Sequence, residues 1–122
     1  MPDSNKDNEP IILSKAVVNT ATYLGINKAQ LAHILGISAS TVGRLYTNDY
    51  ILSPAKREWN SAVLLVRLFR SLDSIIGGVS DDASKWLVSE NKAFGGEKPI
   101  DLLESTEGLL RVVTYLDTSC TI

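Results

Sequence analysis

Apolar positions recur at intervals of three and four residues along nearly the whole chain, so the pattern predicts helices throughout and no strand. The first stripe is Val17, Ala21 and Leu24, on a helix that Ser14 is placed to cap and Gly25 to end. Asn27 is expected to cap a second helix, with Gln30 three residues on as its capping-box partner and Gly36 as its stop. Ser38 caps a third, short helix running to Tyr46, which Thr47-Asn48-Asp49 closes. Ser53 followed by Pro54 predicts the start of a long helix to Ile76, stopped by Gly77 and Gly78. Its apolar residues fall on two stripes: Trp59, Val63, Val66 and Phe69 on one, Leu65, Leu68, Leu72 and Ile76 on the other. A surface helix needs only one stripe. Two readings stay open: a core helix contacted from both sides, or a helix that turns one stripe to a second copy of the chain. Ser80, with Asp81 and Asp82, opens a helix to Glu90, and the glycine pair makes 91–98 a loop. Pro99 opens a helical turn through Leu103, and Ser105 or Thr106 caps a last helix ending near Leu116. The five residues after Asp117 then have no core to join.

Composition narrows the class. A chain of 122 residues is one domain or two small ones sharing a core, and 44% hydrophobic residues supply that core. No apolar run is long enough to span a bilayer, and the polar opening, MPDSNKDNEP, is unlike a signal peptide. Residues 1–12 are expected as a flexible arm. The single cysteine, Cys120, can form no internal disulfide and is expected to be a bystander; no Cys/His cluster suggests zinc. A soluble cytoplasmic protein with no membrane partner, metal or cofactor is expected. The net charge of −2 hides a split: Pro10 to Arg70 holds seven bases against two acids, and Val79 onward four bases against eight acids. Such asymmetry fits one half facing a polyanion and another half with a different partner.

Lys28 to Thr47, KAQLAHILGISASTVGRLYT, is the most informative stretch. Two short helices crossing through a tight turn constrain residue type at many positions. Ala32 is small where the helices touch, and Gly36 stands where the chain must turn left-handed. Leu31, Leu35, Ile37, Val42 and Leu45 are apolar where the pair meets the rest of the domain. The run LAHILGISASTVGRL resembles the Cro/C1-type (Xre) repressors, whose second motif helix lies in the major groove. Carried over by position, that resemblance implies that Ala39, Ser40, Thr41 and Arg44 point at bases. It places Ser38 at the helix start, facing phosphate or base, and Gln30 and Lys28 at phosphates. Arg44 is the best specific reader, since its fork can grip guanine O6 and N7 together. Plainer readings stand beside these: Gln30 as capping partner only, Ser38 as N-cap, Arg44 as a solvated side chain. Gly43 departs from the pattern, where a side chain such as serine is more usual. His33, the only histidine, faces outward without a second ligand in view. A reading surface this small points to a homodimer on two half-sites.

In the C-terminal half nothing pairs a nucleophile with a base or cradles a phosphate, so no enzyme is expected. The stretch WLVSENKAFGGEKPIDLLESTEGLLRVVTYLD, Trp86 to Asp117, resembles the toxin-binding domain of the Xre/MbcA/ParS antitoxins. The features that carry the likeness are a Trp-Leu pair, an asparagine before a Gly-Gly loop, Pro-x-x-Leu-Leu, and Glu-Gly opening the last helix; LLVRLFRSLDSIIGG upstream resembles the linking helix. The resemblance implies an all-α fold, a Cro/C1-like helix-turn-helix bundle joined by a long helix to a small helical toxin-binding domain. Its implied divisions are 13–78 for DNA binding and dimerisation and 79–122 for toxin binding. It further implies a RES-type partner toxin that consumes NAD, inhibited by closing its cleft, and repression of the operon's own promoter. The toxin contacts so placed are Asn91, Phe94, Gly95, Gly96, Arg111, Tyr115 and the tail Ser119, Cys120, Thr121 and Ile122. Trp86, Leu102 and Leu103 are expected in the core. The alternative is an Xre-family transcriptional repressor with no toxin partner.

Overall fold

The computed structural model describes residues 4–76 and 80–120, and all regular structure in them is helical. The chain forms α1 (Ser4–Leu24), α2 (Lys28–Leu35), α3 (Ala39–Tyr46), α4 (Glu58–Ile76), α5 (Ser80–Val88), α6 (Pro99–Leu102) and α7 (Thr106–Cys120), with a 3₁₀ turn at Lys92–Phe94. A helix-turn-helix bundle, α1 to α3, is joined by the long α4 to a smaller helical unit, α5 to α7. Helix α4 packs most extensively against α7 and then α1, and also meets α2 and α5. Its inner stripe, Leu65, Leu68 and Leu72, is almost fully buried. Each such leucine contributes about 1.5–3 kcal/mol by leaving water, so this stripe ties the two halves to one core.

The second stripe of α4 has another fate. Trp59, Val66 and Phe69 are half-buried and Val63 is 42% exposed. Phe69 meets Tyr23 of α1 edge-on, at 5.1 Å between ring centroids. Leu13, Val63 and Val66 line a shallow groove there with Arg67 and Arg70. One stripe is therefore core, and the other is only partly covered by α1.

Three helix ends differ from the sequence-based expectation. Ser14 does not cap α1, which runs through it and Pro10 back to Ser4. The serine is buried, donates to the Pro10 carbonyl at 2.6 Å, and accepts the Leu52 N–H at 2.9 Å. It satisfies a buried loop amide 38 residues away. The Ser53-Pro54 signal makes a single turn, closed by Lys56 N–H to the Ser53 carbonyl, and α4 begins only at Glu58. There the Glu58 carboxylate accepts the Tyr50 hydroxyl, a contact that sets where the long helix starts. Helix α7 does not end at Leu116 but continues to Cys120. The reason is Asp117, which accepts from Arg67 Nη2 at 2.5 Å and from Ser71 Oγ at 2.7 Å, both on α4. Ser119 is therefore in the helix, its hydroxyl donating to the Tyr115 carbonyl, rather than in a free tail. Residues 4–12 of the expected 1–12 arm lie in α1; its Met1 to Asp3, the Gly77-Gly78 stop, the side chains of Ser80 and Cys120, and Thr121 and Ile122 lie outside the described residues.

Asp117→Asn tests this clamp. Arg67 is well exposed, so the ion pair is screened and worth about 1 kcal/mol or less. The midpoint of thermal unfolding should fall by a few degrees, and the fall should shrink at high salt.

Candidate functional site

Two surfaces carry the residues singled out by sequence. The first is built on α2 and α3. Asn27 accepts the Gln30 N–H at 2.7 Å while Gln30 Oε1 accepts the Asn27 N–H at 2.9 Å, the reciprocal capping box. Gly36 ends α2 at φ 72°, a conformation that disfavours any residue with a Cβ. Ser38 then caps α3, accepting the Thr41 N–H at 3.1 Å. Its hydroxyl also pairs with those of Thr41 and Ser40, at 2.7 and 3.2 Å. Val42 and Leu45 turn inward and are buried, which leaves Ser38, Ala39, Ser40 and Arg44 exposed and Thr41 half-buried. The outward face of α3 is therefore a row of small hydroxyl and methyl groups ending in one guanidinium.

Two lysines of this half lie over tyrosine rings. Lys28 lies with its ammonium 5.0 Å from the centre of the Tyr46 ring, and Lys56 lies 5.6 Å from that of Tyr50. Burial raises the Tyr46 hydroxyl pKa, against a smaller opposing effect of its hydrogen bond with Thr22. Tyr50 is pushed up to about 12, chiefly by its hydrogen bond to Glu58, with burial and the carboxylate charge adding and Arg44 opposing. Both tyrosines stay neutral at physiological pH. His33 is exposed and lies 3.7 Å from Glu104, across the junction between the two halves. A cleft of about 730 Å³ at that junction holds both signs of charge, Lys56 and Arg57 with Glu58 and Glu104. Among the described residues no group of His, Cys, Asp and Glu side chains could hold a metal, and no helix is long and apolar enough to cross a membrane.

The second surface lies between the 91–97 loop and α7. Asn91 closes the loop: its side chain accepts the Ala93 N–H at 2.9 Å, its carbonyl accepts those of Phe94 and Gly96, and its N–H donates to the Glu97 carbonyl. Gly95 and Gly96 take φ of 67° and 87°. This closure turns Phe94 inward, where it is 2% exposed. Trp86 and Tyr115 meet its ring edge-on at 6.2 and 5.1 Å, and the Arg111 guanidinium lies 5.4 Å over it. The structure thus brings Phe94, Arg111 and Tyr115 together, while Asn91, Gly95 and Gly96 shape the loop that seats the phenylalanine. Above them is a largely apolar groove of about 510 Å³. Sequence reasoning missed four of its residues, Ala93, Glu107, Leu110 and Thr114. The signal was present: 107, 110, 111, 114 and 115 recur at helical spacing. Leu110, 51% exposed beside the buried Leu109, is an apolar residue on the outer face.

Helix-turn-helix and helical appendage together define a binding protein with two separate faces. Residues 12–67 match the antitoxin Xre-like helix-turn-helix domain, and residues 66–118 match the antitoxin Xre/MbcA/ParS C-terminal toxin-binding domain. The chain therefore has the domain architecture of the Xre/MbcA/ParS-type antitoxins, whose two modules bind rather than catalyse. Among solved structures it is similar to the antitoxin chain in the crystal structure of the M. tuberculosis MbcT–MbcA toxin–antitoxin complex. That similarity has a TM-score of 0.67 at 22% identity and covers 89% of this chain and 94% of that one, a likeness of fold. No curated protein matches the chain.

Proposed function

We propose that this antitoxin captures a RES-type, NAD-consuming toxin on the groove between the 91–97 loop and α7, and that it represses its own promoter through α3. The observation that carries the first part is the Phe94 seat. A buried ring holds Arg111 and Tyr115 in place beside the exposed Leu110, in the domain that matches a toxin-binding family. Preformed apolar ground with one fixed cation is what a protein partner can bury without ordering costs. The tail residues Ser119, Cys120, Thr121 and Ile122 are assigned to the toxin's NAD cleft. The acidic C-terminal half suits a cleft lined with bases for the NAD phosphates.

For DNA, Arg44 reads a base, with Ala39, Ser40 and Thr41 beside it. Ser38, Gln30 and Lys28 set the register on the phosphates. The half-covered stripe of Val63, Val66 and Phe69 is the ground for a homodimer that spaces two recognition helices. The test is co-expression with a RES-domain toxin: a co-purifying complex, restored growth and restored NAD support the reading. Tight promoter binding without any toxin capture would instead leave a repressor alone.

Arg44→Ala is expected to weaken promoter binding about 10- to 100-fold, the worth of one bidentate base contact. Its side chain is exposed, so helicity by circular dichroism should not change. Unaltered affinity in a folded variant removes Arg44 from the reading face.

A further inference from the structure

We propose that Lys56 is a further DNA-backbone contact and that Tyr50, hydrogen-bonded to the buried Glu58, is the residue that positions it; this rests on the reading of α3 as the DNA-facing helix. In sequence Lys56 is one base in the first turn of the expected long helix. In the structure its ammonium sits 5.6 Å from the centre of the Tyr50 ring, within reach of the ring's negative face. Tyr50 is itself held, because its hydroxyl donates to the Glu58 carboxylate and Glu58 is only 8% exposed. Glu58 opens α4, whose inner stripe is locked in the core. A rigid path therefore leads from the core helix through a carboxylate and a tyrosine to an ammonium. A surface lysine that merely solvates needs none of this.

The position of the ring gives the direction. Tyr50 follows α3 by four residues, and Asp49 beside it donates its N–H to the Arg44 carbonyl at 2.8 Å, so the ring that carries Lys56 stands at the end of the recognition helix. The same device occurs a second time, with Lys28 at the start of α2 over Tyr46 in the last turn of α3. Two ring-seated lysines thus accompany one recognition helix. Fixing a flexible ammonium before binding leaves less freedom to lose when it meets a phosphate.

The experiment measures promoter-fragment affinity of the full chain as a function of salt. Lys56→Gln should weaken binding roughly tenfold at 0.1 M salt and lower the slope of log K against log salt by about 0.9, one released counterion. Tyr50→Leu, which removes the ring, should reproduce that loss of slope, and combining it with Lys56→Gln should add nothing further. Tyr50→Phe keeps the ring but breaks the hydrogen bond that holds it on Glu58, so its slope should fall between those of the wild type and Tyr50→Leu. A wild-type slope in Lys56→Gln overturns the contact. A reduced slope in Lys56→Gln with an unchanged one in Tyr50→Leu overturns the positioning; if Tyr50→Leu fails to fold, a wild-type slope in folded Tyr50→Phe does so. Arg44→Ala separates the two levels: binding lost there but untouched by Lys56→Gln sinks only this proposal, whereas no promoter binding by the wild type sinks the reading beneath it.

Discussion

Leu110→Glu is expected to abolish protection from the toxin while leaving the fold and promoter binding intact. The side chain is 51% exposed on the outer face of α7. A carboxylate there costs the free protein within about 0.5 kcal/mol, as surface substitutions do. In the complex the same carboxylate would lie in an apolar groove, between Arg111 and Thr114 and opposite the Phe94 seat. Truncating a central anchor of an interface costs about 2 kcal/mol or more, and burying a charge in its place adds to that. A loss of at least about 30-fold in toxin affinity follows, visible as failed co-purification, falling NAD and arrested growth. The N-terminal half makes no use of Leu110, so the salt-dependent binding of promoter DNA should be that of the wild type. If cells stay protected, the groove is not where the toxin docks. Inhibition must then come from the end of α7 beyond Asp117.

Gly108→Ala is expected to destabilise the protein, against the usual direction for a helical glycine. In an open helix, alanine gains about 1 kcal/mol over glycine. At position 108 a Cβ would lie 2.0 Å from the Leu102 carbonyl oxygen, 2.8 Å from its carbon and 2.9 Å from Ser105 Oγ. Two of these atoms are backbone and cannot swing away. The connection from α6 to α7 must open, and the Ser105 cap, which accepts the Gly108 N–H at 3.0 Å, must shift with it. Overpacking of this kind costs about 1–3 kcal/mol or more, enough to reverse the propensity gain. Gly43→Ala is the matched control, since a Cβ there meets nothing within 4 Å. The first substitution should lower the unfolding midpoint by several degrees and weaken neutralisation, because α7 carries the groove. The second should raise the midpoint. Equal shifts in the two variants would show that the α6–α7 contact is looser than drawn.

The helix-turn-helix half was legible in the sequence because its devices are local. Asn27 with Gln30, Gly36 at positive φ, and Ser38 over Thr41 each act within a few residues, so residue type and spacing predict them directly. Apolar spacing likewise gave the two stripes of α4, though not which of them is core. The toxin-facing half was legible only in part. Phe94, Arg111 and Tyr115 were singled out by resemblance, but nothing in the spacing says that one ring seats the other two. Local signals also misplaced three helix ends. Ser14 and Ser53-Pro54 both have the chemistry of a cap, yet Ser14 serves the amide of Leu52, and the long helix waits for Glu58 to meet Tyr50. Asp117 carries α7 past Leu116 because Arg67 and Ser71 of α4 hold it there. The sequence by itself determined which segments are helical, how the helix-turn-helix is capped, and which faces are apolar, since these follow from interactions three and four residues apart. Only the tertiary structure decided where α1, α4 and α7 begin or end, which apolar stripe stays half-open, and which side chains are held in place for a partner. Those depend on contacts between residues eight to fifty positions apart, which leave no trace in local spacing.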